Sequence, residues 1–361
     1  MLTRQDFIAT PPTVQVRLAL EPVLNILNSV IVLTIVNERS GLPAWVTETE
    51  RTFSDDEKHL NVLVNYFFPS LYNLQHFDDF DSYLAWLDAM DPAAFRATYF
   101  EHYRIDHPDR PLPADFETDR AAFLSYVRAL HEEKGSSDES FDEAMAGEVF
   151  DRLSDPAALK ALLIGHLRSL WDKHLKAEWQ RVLPMIQDSI AGFEQVDLSD
   201  LTALEAIRAV TGRDLTNMWE TSDEITQFVF VPSAHLGPYI VHFRDLTTQT
   251  TYIMFGARLP EGTRNTSNAL SRSELLVQLS ALADETRLTI LELLTQYREL
   301  CAQDIITRLN LSQSSASRHL RQLTASGYLI ERRRDVNKCY SLNRGRIQDT
   351  ALALNVFFGS R

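Results

Sequence analysis

The sequence predicts a mainly α chain (α+β): a large helical N-terminal domain with a small β-hairpin/sheet segment, then a small C-terminal module of helices and one hairpin. Three observations point there. From about Pro22 to Thr221, apolar residues recur at three- and four-residue spacing. Between Ile225 and Phe255 the chain turns to short runs rich in β-branched and aromatic residues. After residue 271 the helical period returns and gives way to two basic, strand-like runs. At 361 residues the chain exceeds one ordinary core of ~100–200 residues. The expected division is 1–222, helical and the place for an effector or interaction site; 223–258, a β segment packed on it; 259–271, a linker; and 272–361.

The elements follow in order. Val23 to Val36 is the most apolar stretch, 14 residues long, and it includes Asn25, Asn28, Ser29 and Thr34. A membrane span needs about 20 mostly apolar residues, so a buried helix and a cytoplasmic protein with no membrane segment are expected. Leu60, Leu63, Val64, Phe67 and Phe68 form one helical stripe, and Phe123, Tyr126, Val127 and Leu130 another. Breaks are expected at 107–113 and 134–140, where polar residues cluster with Pro or Gly. Ile225–Val231 reads as a strand, and Tyr239–Phe243 with Thr251–Phe255 as a hairpin.

Net charge is −15, which excludes a generally basic nucleic-acid coat. Divided at 271/272, however, the last 90 residues carry 13 Lys+Arg against 9 acids, or +4, and the first 271 carry −19. A small basic module accompanies a large acidic body.

Within that module Asp284 is a good N-cap for a helix whose apolar stripe is Leu288, Ile290, Leu291 and Leu294. Cys301–Leu309 is a short helix, Asn310-Leu311 a turn, and Ser312 caps a helix running to about Ala325. Ala316, Leu320 and Leu323 are its buried face. At about 100° per residue, Ser314, Arg318 and Arg321 point away, with Ser315, Ser317 and Gln322 at their flanks. Gly327 ends the helix, and Tyr328–Arg333 and Lys338–Leu342 pair as a hairpin. This is the order of a winged helix-turn-helix. A capped helix with small polar residues at its start and arginines outward suits the major groove, while a basic hairpin can hold phosphates or enter the minor groove. Expected base-reading positions are Gln313, Ser314, Ser315, Ser317, Arg318, His319, Arg321 and Gln322, with His319 first assigned to packing or a phosphate contact. Expected wing contacts are Arg332, Arg333, Arg334 and Lys338.

The stretches ALADETRLTILELL and LSQSSASRHLRQLTASGYL, within residues 279–342, resemble the arsenic-repressor-like (ArsR) transcription regulators. The whole chain resembles a subgroup of them with a long N-terminal domain of unassigned function. The resemblance implies a homodimeric repressor on double-stranded DNA with a near-palindromic operator. It also implies dimer contacts from helices at both ends of the module, here Ser273–Ala283 and the series Ile347, Ala351, Leu354, Phe358. Many such regulators bind metals through paired thiolates in the segment equivalent to Leu300–Asp304. Here Gln303 stands at the second cysteine position, and residues 344–361 hold no His and only Asp349 as an acid. No metal or cofactor is therefore expected, Cys301 and Cys339 are read as small packing residues, and the effector is expected to be a non-metal small molecule or protein acting through the N-terminal domain.

Other groups weigh less. His166, His174 and Glu178 share one predicted helix at a spacing too loose for a metal site. Of 35 aromatic residues, 30 precede residue 272, which fits a large helical core or an aromatic-lined pocket. Arg287 is expected in an ion pair within the module. The chain carries no G-x-S-x-G, H-E-x-x-H, P-loop or G-x-G-x-x-G pattern, so it is read as no enzyme. The rival reading is an interaction protein whose winged helix contacts protein rather than DNA.

Overall fold

The computed structural model describes residues 15–359 except 40, 73–74, 108, 134–140, 199–200, 214–226, 246–247, 249, 261–267 and 335–336. In chain order the elements are β1 (Gln15–Leu18), α1 (Pro22–Thr34), α2 (Ala44–Glu50), α3 (Asp55–Tyr66), α4 (Phe68–Leu71), α5 (Phe80–Ala89), α6 (Pro92–Asp106), α7 (Arg120–Glu133), α8 (Glu143–Arg152) and α9 (Pro156–Leu170). A π-helical turn, Trp171–Leu175, leads into α10 (Lys176–Phe193) and α11 (Ala203–Thr211). Then come β2 (Gln227–Ser233), β3 (Ile240–Asp245), β4 (Thr250–Gly256), α12 (Asn268–Leu282), α13 (Glu285–Gln296), β5 (Leu300–Cys301), α14 (Ala302–Leu309), α15 (Gln313–Ala325), β6 (Leu329–Arg334), β7 (Asn337–Leu342) and α16 (Arg344–Gly359).

The chain forms two compact units, one of residues 21–39 and 44–181, the other of 1–20, 40–43 and 182–361. The first is helical. Its α1 is the apolar stretch read from the sequence, with Leu27 and Val30 fully buried. Two of its buried polar residues bond to the helix's own backbone: Asn25 donates to the Glu21 carbonyl (3.2 Å) and Ser29 to the Asn25 carbonyl (2.7 Å). Leu63, Val64 and Phe67 from the α3 stripe and Phe123, Tyr126 and Leu130 of α7 are buried as expected. The aromatic surplus packs largely on itself, Phe116 touching the rings of Phe100, Tyr103, Phe123 and Tyr126.

The second unit holds a four-stranded sheet of order β1-β2-β4-β3 and the winged helix. The β3–β4 hairpin is antiparallel, as read from the sequence, and β2 lies parallel to β4. Phe228, Phe230, Ile253 and Phe255 alternate along their strands, so they share one face, packed on Phe193 of α10 and on Ile207 and Val210 of α11.

Three expectations change. Residues 1–222 are not wholly helical: β1 pairs in parallel with β2, Gln15 opposite Gln227. A four-residue strand is too short for a periodic signal, and its partner lies far along the chain. The β segment 223–258 joins the compact unit of the winged helix, and α12 begins at Asn268, inside the stretch read as a linker. Finally, Cys301 and Cys339 are not merely packing residues: β5 lies antiparallel to β7 with Cys301 opposite Cys339, and the two form a disulfide. Their 38-residue separation hides that juxtaposition in the sequence.

Candidate nucleic-acid interface

The winged helix is built on a core of Ile290, Leu291, Leu294, Leu300, Ile305, Leu320, Leu323, Tyr328, Leu329 and Tyr340. Helix α13 starts at Asp284, whose carboxylate accepts the Arg287 backbone N–H at 2.9 Å. The Arg287 side chain is buried: it donates to the carbonyls of Ala281 (2.6 Å) and Ser280 (2.8 Å), and its other terminal nitrogen lies 3.6 Å from Asp284. It thus ties the end of α12 to the start of α13, the intramodule role expected for it. Asp284 also lies 3.6 Å from His319 Nδ1 of α15. Burial alone would raise the Asp284 carboxyl, but the Arg287 N–H bond and the Arg287 and His319 charges hold it below its ordinary value.

Helix α14 ends at Asn310 in the left-handed region (φ 50°), a conformation Asn tolerates better than most residues. Ser312 then caps α15, accepting the Ser315 N–H at 3.2 Å. With Ala316, Leu320 and Leu323 buried, the helix is fixed in rotation. Gln313, Ser314, Arg318 and Arg321 are exposed, and Ser315 and Ser317 are half-buried at the edges of that face. Gly327, at φ +80°, supplies the left-handed turn into β6. On the hairpin Arg332, Arg334 and Lys338 are exposed, Lys338 lying 3.1 Å from Glu331. The Arg333 side chain lies outside the described residues, though its backbone pairs with Lys338 in the strand register.

Two of the expected base-reading side chains point elsewhere. Gln322 is fully buried and accepts a hydrogen bond from the Tyr239 hydroxyl at 3.0 Å. The sheet-side Tyr239 covers the flank of α15 that helical geometry alone leaves open, so Gln322 is removed from the reading face. His319 is only 6% exposed, facing Asp284. Burial first, and then the Arg318 and Arg287 charges, push its pKa down against the pull of Asp284, which suits the packing role given first for it. Nothing local in the sequence marks Tyr239 as the partner of Gln322.

The other candidates are used within the helical unit. His166 Nε2 lies 2.8 Å from Asn61 Oδ1, the His174 ring meets Phe53 edge-on, and Glu178 takes a two-pronged bond from Arg181 at 2.6 and 2.7 Å. Among the described residues no three His, Cys, Asp or Glu side chains gather as metal ligands, and no helix is long and apolar enough to cross a membrane.

The sequence profile of the family described as "Bacterial regulatory protein, arsR family" matches residues 284–331, which run from the cap of α13 into β6. The arsenical resistance operon repressor of Staphylococcus aureus is 38% identical over 88 residues, 24% of this chain and 83% of the relative. That of Escherichia coli (strain K12) is 52% identical over 52 residues, 14% of this chain and 44% of the relative, so less than half of that protein's length is spanned. A solved structure of a Mycobacterium bovis fragment, titled a possible transcriptional regulatory protein, is 26% identical over 26% of this chain and 97% of its own, with a TM-score of 0.21.

Proposed function

Because the chain belongs to the arsR family of bacterial regulatory proteins, and is thus a transcription regulator, we propose that it is a homodimeric repressor that binds a near-palindromic operator and is released by a non-metal effector. One observation carries this: a capped, rotationally fixed α15 presents Gln313, Ser314, Arg318 and Arg321 to solvent beside a hairpin with Arg332, Arg334 and Lys338 exposed. Side chains on one helix face can meet base edges while the neighbouring cations hold the backbone. Ser315 and Ser317 at the edge of the face are assigned to phosphate or base contact, and Arg333 to the wing with its neighbours.

Dimerisation is supported by exposed apolar side chains on the two terminal helices of the module, Leu276 on α12 and Ile347, Phe357 and Phe358 on α16. A two-fold dimer would set two α15 helices about one DNA turn apart. A non-metal effector is supported by the donor set of the module, where Gln303 stands at the second cysteine position and residues 344–361 hold no His. Such a protein works as a binding protein, in the cytoplasm with its DNA.

The test is selection from random duplexes with the full-length chain, followed by titration of the selected site. The expected result is a near-palindromic site, weakened by about 1–3 kcal/mol in Arg318→Ala, with relaxed base choice at one position in each half-site. Arg332→Ala should weaken all duplexes alike and flatten the salt dependence. If no site is enriched and none binds at low salt, the winged helix serves protein contact instead.

A further inference from the structure

Three arginines from separate parts of the second unit line one recess between the sheet and the winged helix. Arg213 follows α11, Arg258 follows β4, and Arg346 is in the first turn of α16. The recess is open to solvent and its cavity volume is about 60 Å³, room for an anionic group with the rest of a ligand lying at the mouth. Glu274 of α12 is the one carboxylate among the described residues that line it, 3.9 Å from Arg258 Nε. Among the described residues Arg213 and Arg346 face backbone carbonyls and no carboxylate, which leaves an excess of positive charge in a partly dry place. Arg213 registers it: burial, then the Arg346 and Arg258 charges, bring even this guanidinium down to about 9. Gly212, at φ +69°, makes the crowding possible, because a β-carbon there would overlap the Arg258 guanidinium.

Two of these arginines also grip the end of the helix proposed to read DNA. Arg213 donates to the carbonyl of Thr324, in the last turn of α15, at 2.8 Å, and to that of Pro238 before β3. Arg346 donates to the carbonyl of Ser326, just past α15, at 3.1 Å. The rest of the lining mixes apolar surface (Met185, Ile240, Phe255, Val277) with the hydroxyls of Ser233 and Thr211.

We infer that this recess is the effector site and that it takes a small organic anion, a carboxylate or phosphate joined to an apolar body. The charge selects the anion, and the apolar wall rewards a body beside it. An anion drawn to Arg213 and Arg346 competes with the three carbonyls those arginines hold, two of them at the end of α15, so its occupancy changes how that end is fastened to the sheet and to α16. By linkage, the anion and the operator then alter each other's affinity by one and the same factor. The coupling, though not the binding, rests on the regulator reading above.

Two probes test it on the full-length protein without DNA: inorganic phosphate for charge alone, and phenyl phosphate for charge with an apolar body. Each is compared with chloride at matched ionic strength. Thermal unfolding should rise by a few degrees with millimolar phosphate, and phenyl phosphate should bind at least ~5-fold more tightly by calorimetry. Arg258→Gln and Arg346→Gln, made singly so that one misfolded variant does not decide the matter, should abolish both effects. Arg332→Ala on the wing should leave them intact. No shift with either probe, or binding retained in a folded Arg258→Gln or Arg346→Gln, overturns the site. Binding without any change in operator affinity keeps the site and overturns the coupling, whereas absence of operator binding with the site intact overturns only the regulator reading.

Discussion

His166 is held 6% exposed on α9 with its Nε2 against Asn61, and burial brings its pKa down from 6.5 to about 4. The folded protein therefore keeps this imidazole neutral at pH values where the unfolded chain already protonates it. Between about pH 6.5 and 4 the unfolded state binds more protons, so stability is full above that window and falls as pH drops through it. Thermal unfolding followed from pH 7 to 4.5 should show this loss. His166→Gln, which keeps a group able to bond Asn61 but cannot titrate, should flatten the slope. If the variant keeps the wild-type slope, the destabilisation belongs to other groups. That His166 would be structural was legible from its loose spacing to His174 and Glu178, but that Asn61 would meet it was not, because the two lie 105 residues apart. Arg318 and Gln322 divide in the same way. Helical geometry relative to Ala316 and Leu320 suffices to turn Arg318 outward, whereas the fate of Gln322 depends on Tyr239, 83 residues away.

Helices α13 to α15 and the hairpin were legible because each carries its own start or stop: the caps at Asp284 and Ser312, the left-handed Asn310, Gly327. Strand β5 was not, being two residues long and defined only by its partner β7. The disulfide follows from that pairing and crosslinks the start of α14 to the wing. Thiol titration of the air-oxidised, denatured protein should find no free cysteine, and two after reduction. Closing a 38-residue loop restricts the unfolded chain, so reduction, or Ser at both positions, should lower stability by about 2–4 kcal/mol. An unchanged unfolding midpoint would mean that the strands hold the wing without help from the bond.

At the scale of the whole molecule, α12 and α16 touch one another and leave Leu276, Ile347, Phe357 and Phe358 exposed. Phe358 is 73% exposed, so Phe358→Asp should spare the fold of the protomer while destroying an apolar contact between two copies. Light scattering should then report a monomer where the unaltered chain is a dimer, and operator affinity should fall by about 10²-fold as the gain from a second half-site is lost. A dimer that survives with full affinity would place the contact elsewhere. The order in which the molecule is made carries a last consequence. Strand β1 leaves the ribosome early, but β2, against which it lies, follows about 210 residues later. At ~5–20 residues per second it waits some ten to forty seconds, while the helical unit, whose segments all precede residue 182, has its whole sequence available. The helical unit can thus be finished before the sheet and the DNA-binding module that share the other unit. A nascent chain stalled after the helical unit has emerged but before β2 would carry a complete acidic helical body and no means of touching DNA.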